Sequence, residues 1–526
     1  MRRRRESGAL GSVGGMERAY EADAIRAAEA PLLAATAPDE LMKQAAFAVA
    51  TAVLDELRRL GARRSGSTVL LLVGGGNNGG DALYAGAYLA RRGLQVVAAL
   101  CTHRPHGRGL AAATAAGVRV LHLLDDTGEP HRDLLAELAA WAGVWVDGLT
   151  GIGATGGLRS PLAGVVTALA EQRAALPDEP TVVAVDVPSG IGVDDGTVPG
   201  PVLPADVTVT MGAAKPGLLV RPAAAFAGRL VVVDIGLQAH LAEPAVQRLT
   251  GADVADLVPV PQGTDHKYTR GVLGLVAGST TYPGAGVLAA AGALHTGLGM
   301  VRYLGPDVVA RLVHQRYPEV VLGAGRVQAW AVGSGVDPDD EERAGEVRDV
   351  VVRALASGTP AVLDAGALAA APDRLAANVV LTPHAGELAR LLTDRGHGTT
   401  RADVEAAPLS AARLAAAVTG AVVLLKGATT VVAAPGGVTY AQEDGTPWLA
   451  AAGTGDVLAG VLGALLAVTG EELGLERDPH GARTAAIAAA AALVHGRAGV
   501  RASGGGPVTA LQVAGALPAV VADLLA

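Results

Sequence analysis

The sequence predicts an α/β protein built from two parallel-sheet domains, on three observations. Short apolar runs alternate with helical patterns through both halves. Several of these runs end in glycine-rich turns that open helices. The pattern loosens once, between Leu241 and Gly263, before a strand-like run begins again. The chain has 526 residues, too many for one core, and half of them are hydrophobic.

In the first half, Thr68–Val73 reads as a buried strand, followed by glycines and a helix from about Asp81 to Arg92. Gln95–Leu100, Val144–Val146, Thr181–Val185, Val207–Met211 and Leu230–Val233 are further strands. Continuous apolar runs separated by helices predict a sheet covered on both faces. The second half restarts with Val272–Ala277. Ala329–Val332, Ala361–Asp364, Val379–Thr382, Ala421–Leu425 and Thr430–Ala433 follow. Helices from about Thr454 to Leu466 and from Arg483 to Gly499 close the pattern. The domains are placed at 16–245 and 255–526.

The formal net charge of −9 argues against nucleic acid as a partner. The MRRRR start reads as a disordered or misassigned beginning rather than a short arm, and Met16 opens a better helical pattern. Cys101 is the only cysteine, which excludes an internal disulfide and fits a reducing cytoplasm. Gly271–Val301 carries no formal charge and is long enough to span a bilayer, but Pro283, His295 and its glycines mark strand, turn and helix. No membrane association is expected. Lysine is scarce: only Lys43, Lys215, Lys267 and Lys426 occur.

Gly74, Gly76 and Gly79 have GxGxxG spacing after a strand and before a helix, the context of an anion-binding turn. The acid expected about 20 residues on, which would hold a ribose hydroxyl, is absent. Instead Asn77, Asn78 and Asp81 crowd polar side chains into the turn. Asp147 ends the next strand and leads into DGLTGIGATGG, and Asp186 and Ser189 follow the third in DVPSG. Each alone also suits a helix cap or a tight turn. Three such loops after three parallel strands point to one site.

NNGGD, the D-x-L-x-G-x-G loop and D-x-P-S-G resemble the N-terminal domain of the YjeF-type NAD(P)H-hydrate repair enzymes, across about residues 16–240. The resemblance implies a Rossmann-like domain that interconverts the R and S hydrates of NADH and NADPH with bound K+. It implies substrate contacts from Asn77, Asn78, Gly79, Gly80, Asp81, Gly151, Ile152, Gly153, Ala154, Thr155, Gly156 and Gly157. Asn78, Asp147 and Ser189 would hold K+, and Asp186 would act on the reacting ring. Ala82 and Gly75 depart from the usual family residues.

In the second half, VAGSTTYPGAG, VGSG, TPHAGE and KGATT each lie at or beside a strand end, and GTGD opens a helix. GTGD is the most specific: backbone N–H groups at a helix start hold a transferring phosphoryl group, while the aspartate takes a proton from a hydroxyl. The alternative is an ordinary cap by Thr454 or Asp456. This set resembles the C-terminal dehydratase domain of the same family, across about residues 255–526. The resemblance implies a ribokinase-like fold that uses ADP, with Mg2+, to remove water from the S hydrate. Ala285, Gly335, His384 and Asp456 would contact the hydrate, with Asp456 as base toward the 6-hydroxyl. Lys426, Gly427, Ala428, Thr429, Thr430 and Gly455 would contact ADP. Ala385 and the Gly333–Val336 turn differ from the usual TPHPGE and GPGLG.

The resemblance thus implies a bifunctional epimerase and dehydratase acting on NADHX and NADPHX, cytoplasmic and expected as a homo-oligomer. One alternative is a ribokinase-fold small-molecule kinase with an N-terminal ligand-binding regulatory module. Another is a non-catalytic N-terminal scaffold, against which the intact NNGGD and DVPSG loops argue.

Overall fold

The computed structural model describes residues 15–61, 66–154, 156–336 and 340–526. The MRRRR start and Thr155 lie outside the described residues. Among the described residues, the chain divides into two compact units, 18–245 and 15–17 with 246–526.

The first unit is a seven-stranded sheet. Its strands are β1 (Thr68–Val73), β2 (Gln95–Leu100), β3 (Arg119–His122), β4 (Val144–Gly148), β5 (Thr181–Val185), β6 (Val207–Met211) and β7 (Arg229–Val233). They lie in the order β3-β2-β1-β4-β5-β6-β7, all parallel. Along β1, Val69, Leu71 and Val73 join one apolar cluster, while Leu70 and Leu72 join another. Alternate side chains therefore bury on opposite faces, the pattern of a sheet covered on both sides. Strand order turns back between β1 and β4, so the loops after them diverge and leave a crevice at their carboxyl ends.

Two expectations are corrected in this unit. The helix after β1 is α1 (Asn77–Ala90), so NNGGD is its first turn and not a preceding loop. Gly79 permits this, because a Cβ there would stand 2.1 Å from the Gly74 carbonyl oxygen. Met16 does not open a helix either. Glu17–Ala19 is extended and the helix runs over Ala22–Ala35, since the Tyr20 N–H is taken by the Ala214 carbonyl.

The second unit contains β8 (Val246–Arg248), β9 (Val272–Val276), β10 (Met300–Tyr303), β11 (Val321–Leu322), β12 (Ala329–Val332), β13 (Ala361–Leu363), β14 (Val379–Leu381), β15 (Val422–Leu425), β16 (Thr430–Ala433) and β17 (Thr439–Gln442). Their order is β8-β17-β16-β15-β14-β13-β12-β9-β10-β11. The run from β15 to β11 is parallel, and β16 is antiparallel to both its neighbours. The loosened segment after Leu241 still holds β8 and a short helix, Gly251–Leu257, started by a Thr250–Asp253 capping box. The uncharged Gly271–Val301 stretch folds as strand, turn and helix, as its glycines and proline predict. Among the described residues, no helix is long and apolar enough to cross a membrane.

The helices α2 (Pro283–Thr296), α3 (Ala385–Asp394), α4 (Thr454–Val468) and α5 (Ala482–Ser503) flank this sheet. Small residues let α2 and α4 meet backbone to backbone. A Cβ at Gly460 would stand 2.1 Å from the Ala289 carbonyl oxygen, and one at Gly292 would stand 2.3 Å from that of Val457. This contact seats the first turn of α4, where GTGD lies. Gly460→Ala is expected to lower stability by about 1–3 kcal/mol through overpacking. Denaturant unfolding checks it, and an unchanged midpoint would contradict the close packing.

Candidate active sites

In the first unit, the three expected loops converge through side chains at the strand ends. Asn78 Nδ2 donates to the carbonyls of Thr150 at 2.9 Å and Val185 at 2.6 Å, tying the start of α1 to the ends of β4 and β5. Asp147 is fully buried. Its carboxylate accepts from Ser189 N at 2.8 Å, Ser189 Oγ at 2.7 Å and Leu149 N at 3.2 Å. Ser189 Oγ accepts in turn from Thr150 N at 3.1 Å. Gly151 packs so tightly on Asn78 that a Cβ would stand 2.1 Å from Oδ1. Gly76 is the N-cap of α1 and no side chain caps it. That leaves the positive helix end open to an anion.

Burial raises the Asp147 carboxyl above the usual carboxylate range, opposed by its Ser189 and Leu149 bonds. Among the described residues no basic side chain pairs with it. A buried carboxylate without a counter-charge, beside the Asn78 amide and the Ser189 hydroxyl, is an oxygen-only donor set. That set fits a hard monovalent cation.

Asp186 follows β5 in the left-handed region, with φ +67°, a strained conformation for a residue with a side chain. Asp81, Glu29 and Lys215 surround it. Burial, then the charges of Asp186 and Glu29, pushes the Asp81 carboxyl well above its ordinary range. Burial, then Asp186, also raises Glu29. Sequence reasoning missed Glu29 and Lys215, which lie in no glycine motif. The expected loop is only partly drawn in. The Ile152 carbonyl accepts from Arg26 Nη2 at 2.8 Å, and Gly157 lies against Pro199. Among the described residues, none of Gly153, Ala154, Gly156 and Gly157 hydrogen-bonds Asp186.

In the second unit the motifs converge on a residue that sequence reasoning left unassigned, Asp364. It is buried at the end of β13. Oδ2 accepts from Ser334 Oγ at 2.9 Å, and Oδ1 from Thr382 Oγ1 at 2.8 Å and Lys426 Nζ at 2.9 Å. The GSG turn, TPHAGE and KGATT are thereby joined. Its signal was present: an aspartate ending an apolar run, as at Asp147 and Asp186.

Lys426 Nζ also lies 3.9 Å from Glu387 Oε2. Burial opposes its charge, but the carboxylates of Asp364 and Glu387 outweigh burial and hold it above the usual range. His384 caps α3: its Nδ1 accepts from Gly386 N and Glu387 N, each at 3.1 Å, and Glu387 Oε2 accepts from His384 N at 2.8 Å. His384 Nε2 remains on the exposed side, 3.6 Å from Glu387 Oε1. Gly335 lies on Ala285, where a Cβ would stand 2.3 Å from the alanine methyl. Gly455 is close to Lys426 Nζ, 3.7 Å from an added Cβ. Gly427 and Ala428 form the turn before β16, Thr430 opens that strand, and Thr429 is buried beside it.

Asp456 lies in the first turn of α4, after Gly453 with φ +87°. Its carboxyl is pushed up to about 7 by burial and by the negative charge of Asp364, opposed by Lys426. Such a group exchanges a proton near neutrality, as a general base must. Glu387 and Asp456 are oxygen donors near Lys426. That donor set fits Mg2+, which takes one or two carboxylates along with phosphate oxygens.

The folds and sites define a two-unit α/β protein with a network of carboxylates at the strand ends of each unit. Residues 38–217 match the family described as YjeF-related protein N-terminus, and residues 273–513 match NAD(P)H-hydrate dehydratase. A bifunctional NAD(P)H-hydrate repair enzyme of Mycobacterium tuberculosis is 42% identical over 464 residues, 86% of this chain and 89% of that one. The chain belongs to this family of bifunctional NAD(P)H-hydrate repair enzymes. An NAD(P)H-hydrate epimerase of Microbacterium testaceum is 44% identical over 249 residues, 47% of this chain and 90% of that one. A crystal structure of an ADP/ATP-dependent NAD(P)H-hydrate dehydratase from Bacillus subtilis, co-crystallised with ATP/Mg2+, is 28% identical. It covers 53% of this chain and 98% of its own, with a TM-score of 0.45.

Carbon-13 NMR of labelled aspartate should find Asp456 titrating near 7. Asp364→Asn, by removing the like charge, should move that midpoint down. A wild-type midpoint at the ordinary value near 3.8 would contradict the electrostatic reading.

Proposed function

We propose that this chain repairs hydrated NAD(P)H in two steps. The first domain, 16–245, epimerises the R and S hydrates of NADH and NADPH. The second, 255–526, removes water from the S hydrate at the expense of ADP, giving NAD(P)H, AMP and phosphate. The observation that carries this reading is Asp456, a carboxyl poised near neutrality in the GTGD helix turn beside Lys426.

In the dehydratase, Asp456 takes the proton of the 6-hydroxyl as that oxygen attacks the β-phosphorus of ADP. AMP leaves, and the new C6–O–phosphoryl bond then breaks to release phosphate. The ring nitrogen supplies the electron pair that expels it, and loss of the C5 proton restores the dihydropyridine. Backbone N–H groups at the start of α4 face the charge that develops on the phosphoryl oxygens. Gly455 permits close approach there. Lys426 presents its ammonium to ADP while Asp364 and Glu387 fix its direction. Mg2+ held by Glu387 would neutralise phosphate charge.

In the epimerase, Asp186 acts at the reacting ring and the NNGGD turn receives the hydrate. K+ held by Asn78, Asp147 and Ser189 would balance the buried Asp147 charge and brace the loops. The protein is proposed to reside in the cytoplasm and to assemble as a homo-oligomer.

Incubation with mixed hydrates and ADP should restore the absorbance of reduced nicotinamide for both epimers, with ADP favoured over ATP. Asp456→Asn should slow dehydration about 1,000-fold, within the usual range for losing a general base. Since the base must be ionised, wild-type dehydration should fall as pH drops through about 7. Undiminished dehydration by Asp456→Asn would overturn the reading of this site.

A further inference from the structure

The described groups around Asp186 divide its two oxygens unequally. Oδ1 accepts three hydrogen bonds: from Thr210 Oγ1 at 3.1 Å, from Met211 N at 3.1 Å, and from Lys215 Nζ. Oδ2 accepts none from the described residues. Lys215 is almost wholly buried, with 1% of its surface exposed. Its remaining N–H groups go to Thr210 Oγ1 at 2.9 Å and the Met211 carbonyl at 3.2 Å. All three ammonium donors are therefore used, and none points to solvent. The Asp186 backbone is also fixed, because its N–H donates to the Val209 carbonyl at 2.7 Å despite the left-handed φ.

A lysine buried this deeply is costly without a role, since each ion leaves several kcal/mol of hydration behind. A structural pair needs only mutual neutralisation. This pair does more: the lysine and two neighbouring donors hold one carboxylate oxygen and leave the other free. The other charged groups facing Asp186 are the acids Asp81 and Glu29, both raised in part by its charge. Lys215 is thus the one basic side chain among the described residues that pairs with Asp186.

We propose that Lys215 is the positioning residue of the epimerase: it locks Asp186 Oδ1 and presents Oδ2 as the single oxygen that exchanges protons with the hydrate. This rests on the epimerase reading of the first unit. Lys215 acts through Asp186 and is assigned no contact with substrate. It comes from the AAKPG segment after β6, outside every glycine-rich turn, and is placed beside Asp186 by the pairing of β5 with β6.

The test is steady-state epimerisation by the full chain, with thermal unfolding measured alongside. Lys215→Met should lower kcat about 100-fold at neutral pH, with KM nearly unchanged, as expected for impaired proton transfer. Lys215→Arg should restore part of kcat. Thr210→Val, which removes one Oδ1 donor but no charge, should cost about tenfold in kcat, and it serves if Lys215→Met does not fold. If folded Lys215→Met keeps wild-type kcat, or loses activity through KM alone, the proposal fails. If Lys215→Met is unfolded and Thr210→Val keeps wild-type kcat, it fails equally. Absence of epimerisation by the wild-type chain would instead sink the underlying reading of the domain.

Discussion

A carboxylate buried at the end of a parallel strand must acquire a cation, gather hydrogen bonds or give up its charge. Both units are organised around that requirement. In the first, Asp186 is paired with Lys215, and Asp147 is held by Ser189 and Leu149. In the second, Asp364 is paired with Lys426 and bonded by Ser334 and Thr382. Where partners do not offset burial, the proton stays longer: Asp81, Asp456, Asp147 and Glu29 are driven upward. The reactive properties of the sites thus follow from how buried charge is balanced.

The two units reach this arrangement by different routes. In each, a left-handed residue without a glycine's freedom sits beside the charged pair, Asp186 itself in one and Ala365, next to Asp364, in the other. Such strain persists only where surrounding bonds over-determine the backbone, and it gathers at functional sites. Around it, tight glycines set how closely elements approach. Gly79 and Gly151 bring α1 onto the strand ends, while Gly292 and Gly460 seat α4 against α2. The small-residue composition serves positioning as well as packing.

Much of this was legible in the sequence. Strands of continuous Val, Leu and Ala were readable because a sheet buried on both faces needs no alternation. The short strands Arg119–His122, Met300–Tyr303 and Thr439–Gln442 escaped, being brief and partly polar. Asn78, Asp147 and Ser189 were found together because glycine motifs announce them, and the structure does bond them into one network. Lys215, Glu29 and Asp364 were not assigned. Their neighbours are brought in by strand pairing and helix packing, which no local spacing encodes. The rarity of lysine was the available clue: two of the four lysines form the charged pairs at the centre of the sites. The start of α1 was misread because NNGGD looks like turn chemistry, and only close contact with Gly74 makes it helical.

Both hydrates arise from one damaged ring, so a dehydratase limited to one epimer leaves the other stranded unless an epimerase supplies it. On the proposed function, Asp186 and Asp456 therefore have separate and sequential duties. The most direct measurement is the progress curve of nicotinamide recovery from mixed hydrates by Asp186→Asn with ADP. The account predicts a phase at the wild-type dehydration rate that stops at the S fraction and resumes when wild-type first unit is added. Full recovery of both hydrates by this variant at the wild-type rate would contradict it.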